Sequence, residues 1–170
     1  MKYLVVLVLA IGALVGWFAP GLHAPEPTVM AVQEPEARLA FASKPEWYGG
    51  QVVLEREQDG HFYAPVRVET RDYRMLVDTG ASMVALTGED ARNIGLDWDP
   101  KALSQVARGA GGLVMGVHVE LGEVSVGDFV ARKVDAVIIP EGLPISLLGQ
   151  SFLSNVEKVA IAGDTLTLSN

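Results

Sequence analysis

The chain has 170 residues, a formal net charge of −8 and no cysteine. That length fits one domain plus appendages. The acidic balance, with no block of Lys or Arg, argues against a nucleic-acid partner, and the lack of thiols excludes disulfides, thiol catalysis and thiolate metal sites.

The chain opens with Lys2 and a nearly unbroken apolar run from Tyr3 to Ala19. This is at the short end of the roughly 17–25 residues that cross a bilayer. Small-x-small cleavage patterns are poor here, because Pro20 and Pro25 follow the candidate alanines Ala19 and Ala24. Residues 1–23 are therefore expected to be an uncleaved signal-anchor, a single-pass transmembrane helix that places the remainder on the far side of the membrane from Lys2. An ordinary secretory signal is the alternative. Residues 24–46 carry Pro25, Pro27, Pro35 and Pro45 and read as an extended tether. A globular domain is expected over 47–170.

Within that domain the pattern is β. Strands are expected at Gln51–Arg56, Phe62–Glu69, Tyr73–Val77 and Val84–Leu86. A short helix follows, capped by Thr87 with Asp90 three residues on, in a variant of the capping box, and ended by Gly95. Leu103–Ala107 and Leu113–Leu121 flank a glycine-rich stretch, and Val124–Val126, Phe129–Val130 and Val134–Ile139 come next. Leu147-Leu148-Gly149 leads into a second short helix near Gln150–Asn155, and strands Val156–Ile161 and Thr165–Leu168 turn at Gly163-Asp164. Many short strands with one or two short helices define an all-β, barrel-like class.

Most familiar chemistries lack their residues. His23, His61 and His118 are scattered and have no metal-ligand spacing. The segment from Gly149 to Leu153 lacks the last glycine of a nucleophile elbow, and Val114 stands where a dinucleotide loop beginning at Gly109 would need its third glycine. One stretch is unusual: Met75-Leu76-Val77 ends in Asp78-Thr79-Gly80, followed by Ala81-Ser82 and another strand. Such a triplet can be a simple turn. Placed on a loop at a strand end, it can also aim a carboxylate from a rigid scaffold.

The segments MLVDTGASMVAL and SLLGQSFLSN, in this order and spacing, resemble the paired signatures of retroviral-type (retropepsin-like) aspartic proteases. The bacterial membrane-anchored or periplasmic branch is the most similar in architecture, through the helix Glu89–Leu96 and the late Leu147–Leu153 segment. The resemblance covers roughly Gln51 to Asn170 and implies a single-lobed acid-protease barrel. It implies that Asp78 is catalytic, that Thr79, Gly80, Ala81 and Ser82 support its loop, and that Leu147, Leu148 and Gly149 pack across it. Gly109, Ala110, Gly111 and Gly112 fall where the family has a flap over substrate, with Arg108 beside them; an ordinary hairpin is the other reading. No cofactor and no metal are implied.

Peptide hydrolysis by carboxylates needs two in contact. This chain has one Asp-Thr-Gly, and Asp164-Thr165 runs into Leu166. The expected partner is therefore Asp78 of a second copy across a two-fold axis. The sequence thus leads to an aspartic endopeptidase of the bacterial inner membrane, homodimeric, with its protease domain on the periplasmic side and a protein or peptide as substrate. A catalytically silent binding or dimerisation module of the same fold is the rival, and a self-processing zymogen cut in its own tether a third possibility.

Overall fold

The computed structural model describes residues 45–109 and 112–170. The expected anchor, nearly all of the tether, and Ala110 and Gly111 lie outside the described residues. Among the described residues no helix is long and apolar enough to cross a membrane.

Two sheets organise the described chain. The first has the order β1-β2-β11-β10, built from β1 (Glu46–Tyr48), β2 (Gln51–Glu55), β10 (Lys158–Ala162) and β11 (Thr165–Ser169). Its pairing is antiparallel throughout, with Gln51 opposite Ser169 and Glu55 opposite Thr165. Strands from the two ends of the domain are thus zipped together within one chain. The second sheet has the order β3-β4-β9-β5-β8-β7-β6, and a further β3–β7 pairing closes six of its strands into a ring. Its members are β3 (Tyr63–Val68), β4 (Arg71–Val77), β5 (Val84–Thr87), β6 (Ser104–Gly109), β7 (Gly112–Val126), β8 (Phe129–Ile139) and β9 (Leu147–Leu148). Closure removes the exposed edges that an open sheet would leave.

Alternation decides which face looks inward. Ala64, Val66 and Val68 on β3 and Tyr73, Met75 and Val77 on β4 are buried, every second residue along each strand. Leu54, Leu166 and Leu168 from the first sheet join Leu86, Leu121, Ile138, Leu148 and Phe152 in the same core. Each such side chain contributes about 1.5–3 kcal/mol on burial.

Among the described residues two α-helices interrupt the β pattern. α1 (Gly88–Ile94) starts where Thr87 Oγ1 accepts from the Asp90 N–H at 3.0 Å and stops at Gly95, whose φ of 95° is the left-handed conformation that glycine adopts without strain. α2 (Gln150–Leu153) follows β9 directly and buries Phe152 and Leu153.

Sequence and structure differ in strand length. The two short segments expected at Phe129–Val130 and Val134–Ile139 are one strand, β8, and β7 runs unbroken through Gly122. The expected break does leave a trace: Lys133 has a φ of 54° where the β7–β8 register passes from Leu121↔Val134 to Glu123↔Arg132. The Gly122 N–H there is taken by Glu69 Oε1 at 2.6 Å, so tertiary bonding carries the ladder past the irregularity. His118 is an exposed residue of β7, while His61 is exposed in the connection between β2 and β3.

On the β3–β4 hairpin, Arg67 and Asp72 face each other and join through two hydrogen bonds, Nε to Oδ1 at 2.8 Å and Nη2 to Oδ2 at 2.9 Å. The guanidinium holds the Asp72 carboxyl below its ordinary value, against a smaller opposing effect of burial. A folded-state pKa that is depressed adds stability above the ordinary carboxylate pKa, and that stability is lost as pH falls through the folded value. Asp72→Asn is therefore expected to lower the melting temperature slightly at neutral pH, and the difference from wild type should vanish in strong acid. Thermal melts at the two conditions check this.

Candidate active site

Asp78 follows the last residue of β4, and the loop Asp78–Met83 carries the chain to β5. β9 lies between those two strands. It runs parallel to β4, with Leu76 beside Leu147 and Val77 beside Leu148, and antiparallel to β5, with Ala85 beside Leu147. The Leu148 carbonyl accepts from the Asp78 N–H at 3.0 Å, so β9 fixes the backbone from which the carboxylate projects. The side chain is fixed too: Asp78 Oδ1 accepts from the Gly80 N–H at 2.9 Å. Asp78 is half-buried, while Thr79, Gly80 and Ser82 are exposed.

The start of α2 supports the rest of the loop. The Gln150 N–H donates to the Ala81 carbonyl at 2.8 Å, the Ser151 N–H to the Ser82 carbonyl at 3.1 Å, and Gln150 Nε2 to the Thr79 carbonyl at 2.9 Å. The Ser151 hydroxyl accepts from the Val84 N–H at 2.9 Å. Amides without partners in the helix's first turn are here satisfied by loop carbonyls. Gln150 and Ser151 were not singled out by the sequence. Their signal was a pair of polar residues right after Leu147-Leu148-Gly149, legible only once that segment is seen to underlie the loop.

Gly149 makes the close approach possible. A β-carbon built there would lie 2.2 Å from the Met83 carbonyl oxygen and 2.8 Å from that of Ala81. At Gly80 the nearest atom to such a carbon is Asp78 Oδ1 at 3.3 Å, so this glycine admits the carboxylate to its own loop.

Beside the loop lies a small apolar patch. Ala85, Val137 and Ile139 are buried there, with Met83, Leu147, Leu143, Val106 and Val114 packed against them. Val106 and Val114 belong to β6 and β7, whose hairpin runs to the pairs Arg108↔Leu113 and Gly109↔Gly112. The base of the glycine-rich hairpin and Leu147 thus share one patch, which brings together two of the sequence-predicted groups. Leu113 and Met115 on the same hairpin are 56 % and 44 % exposed. Ala110 and Gly111 lie outside the described residues. Among the described residues no cluster of three His, Asp or Glu could hold a metal ion.

A carboxylate aimed by a Thr-Gly loop, crossed by a Leu-Leu-Gly strand inside a closed six-stranded ring, defines a site of the retropepsin-like aspartic protease class. Residues 64–155 match the gag-polyprotein putative aspartyl protease family. The crystal structure of a retropepsin-like aspartic protease from Rickettsia conorii superposes with a TM-score of 0.62 at 32 % identity, covering 71 % of this chain and 100 % of that one. Two uncharacterized proteins are also similar. One, from the cobV 5′ region of a Sinorhizobium species, is 41 % identical over 119 residues, 69 % of this chain and 51 % of its own length. The other, from Rickettsia prowazekii (strain Madrid E), is 33 % identical over 121 residues, 71 % of this chain and 52 % of its own. The chain spans about half the length of these two curated relatives. It belongs to the retropepsin-like aspartic protease family.

Gly149→Ala tests the packing under the loop. The Ala81 carbonyl cannot retreat without giving up its bond from the Gln150 N–H, and the Met83 backbone stands closer still, so the variant should lose about 3 kcal/mol or more, at the upper end of overpacking costs. Urea denaturation of the variant beside wild type measures it; an unchanged midpoint would show that the loop yields.

Proposed function

We propose that this protein is an exported, membrane-anchored aspartic endopeptidase whose catalytic dyad consists of Asp78 from each of two identical subunits. The observation that carries the reading is the anchored Asp78 carboxylate: its backbone is tied to β9 and its Oδ1 to the Gly80 N–H, on a loop whose neighbours Thr79 and Gly80 are exposed. Such a loop is built to meet something.

Two carboxyls about 3 Å apart hold one proton between them, because both cannot carry charge at that distance. The charged carboxylate takes a proton from a water lying between the pair. The protonated one donates a hydrogen bond to the scissile carbonyl, and the water oxygen attacks that carbon. The proton then passes to the leaving amine. Thr79 is proposed to interlock with its mate across the axis and Ala81 and Ser82 to line the loop. The apolar patch around Leu147 is proposed to hold substrate side chains, and the hairpin carrying Gly109, Ala110, Gly111 and Gly112 to close over the peptide and exclude water.

The apolar run Tyr3–Ala19 supports the anchor and the prolines of residues 24–46 support the tether, with the protease domain on the periplasmic side of a bacterial inner membrane. Anchoring would also favour dimers, since a surface raises effective concentration.

Asp78→Asn is expected to lower peptide cleavage by the purified full chain at least about a thousandfold, since both members of the dyad are lost together. The fold should remain, because the asparagine carbonyl still accepts from Gly80. Incubation with a diverse peptide library, read by mass spectrometry, decides it; substantial residual cleavage would refute the role of Asp78. For the anchor, the intact mass of protein extracted from membranes should include Met1. A soluble product whose N-terminus falls between Trp17 and Val29 would contradict anchoring.

A further inference from the structure

β9 is two residues long and has only two Cα partners on β4 and one on β5, yet it carries the carbonyl that holds Asp78. Two serine hydroxyls bracket it. Ser151 Oγ takes the Val84 N–H at the start of β5, and Ser146 Oγ takes the Thr87 N–H at its end, at 3.0 Å. Ser146 Oγ turns its proton onto the carboxylate of Asp90 on α1, at 2.5 Å from Oδ2. Thr87, Asp90 and Ser146 are 6 %, 5 % and 0 % exposed.

The sequence suggested a capping box, in which the Asp90 carboxylate would reach back to the Thr87 N–H. In the structure Ser146 stands between them and relays the contact. A helix cap alone accounts for Thr87 Oγ1 and the Asp90 N–H. It does not account for a buried carboxylate bonded to a hydroxyl 56 residues away in the chain. A carboxylate costs free energy in the interior unless it is well hydrogen-bonded, so helix capping by itself gives no reason to place one here.

A hydroxyl rotates freely, and a charged acceptor fixes its rotor. With its proton held by Asp90, Ser146 Oγ presents a lone pair to the Thr87 N–H. The Ser146 carbonyl accepts from the Leu76 N–H at 3.0 Å, and two residues later the Leu148 carbonyl accepts from the Asp78 N–H. A displacement of Ser146 is thereby passed along β9 to the catalytic loop. We propose that Asp90 and Ser146 are positioning residues of the active site, which lock β9 between β4 and β5 so that the Asp78 loop keeps a productive geometry. The kinetic part of this inference rests on the protease reading.

The test uses the full chain with Asp90→Ala, Asp90→Asn and Ser146→Ala, followed by peptide-cleavage kinetics and by amide hydrogen exchange. Asp90→Ala and Ser146→Ala should lower kcat about ten- to a hundredfold, with KM changed less than about threefold. Exchange at the Leu76 and Asp78 amides should quicken about tenfold or more, while the β10–β11 amides keep wild-type rates. Asp90→Asn should lie between Asp90→Ala and wild type, since its amide oxygen still accepts from Ser146. Unchanged exchange at Leu76 and Asp78, an equal rise throughout β10–β11, or an Asp90→Asn variant no better than Asp90→Ala would each overturn the proposal. Should Asp90→Ala fail to fold, Ser146→Ala is read by the same exchange and kcat criteria. A wild type that cleaves no peptide overturns the protease reading, and the exchange rates still decide the positioning role.

Discussion

The Asp78 loop and the first turn of α2 meet at a distance that only a hydrogen on Gly149 permits. The carbonyls of Ala81 and Met83 occupy the space that a β-carbon there would need, and the amides of Gln150 and Ser151 bond the carbonyls of Ala81 and Ser82 beside it. From this contact the rest of the site follows. β9 must lie immediately before it, in the fork between β4 and β5. The Leu148 carbonyl then falls opposite the Asp78 N–H, and the apolar face of Leu147 falls beside Met83 and the hairpin base. A loop that would be mobile by itself is thereby made part of a barrel wall.

The closed ring serves this arrangement by leaving β9 no freedom to slide. Its neighbours β4 and β5 are held by β3 and β8, and β7 joins β3 to complete the circle. The four-stranded sheet adds a second closure, since β2 and β11 pair along their whole length and seal Leu54, Leu166 and Leu168 into the core. Outside the ring, Arg56 ties the two sets of turns together. Its guanidinium sits 4.4 Å from the Phe62 ring centroid and bonds Asp164 Oδ1, the Gly60 carbonyl and the Gly163 carbonyl. These contacts are remote from Asp78 and read as support for the scaffold.

The sequence made the Asp78–Ser82 loop, the Leu147–Gly149 segment and the caps of α1 legible because each depends on local chemistry: a carboxylate beside glycine, a hydroxyl before a helix, a left-handed glycine after it. Strand ends were less legible. Gly122 and Lys133 look like interruptions in isolation, and only the Glu69 carboxylate, brought in from another hairpin, shows that the ladder continues. β1 is not legible in the sequence although Gly49-Gly50 lies between it and β2, because three residues after a proline carry too little periodicity. The buried link from Asp90 to Ser146 could not be read at all, since nothing in either local segment points to the other.

The proposed dyad takes its two carboxylates from two chains. Subunit mixing tests this most directly. Wild type and Asp78→Asn are combined at a fixed amount of wild type, allowed to exchange partners, and assayed for peptide cleavage. If the dyad spans two copies, the share of all pairs with both carboxylates intact is the square of the wild-type fraction, so in an equal mixture the activity per wild-type chain falls to about half. Activity per wild-type chain that stays constant at every mixing ratio, under conditions where exchange is complete, would contradict a shared dyad.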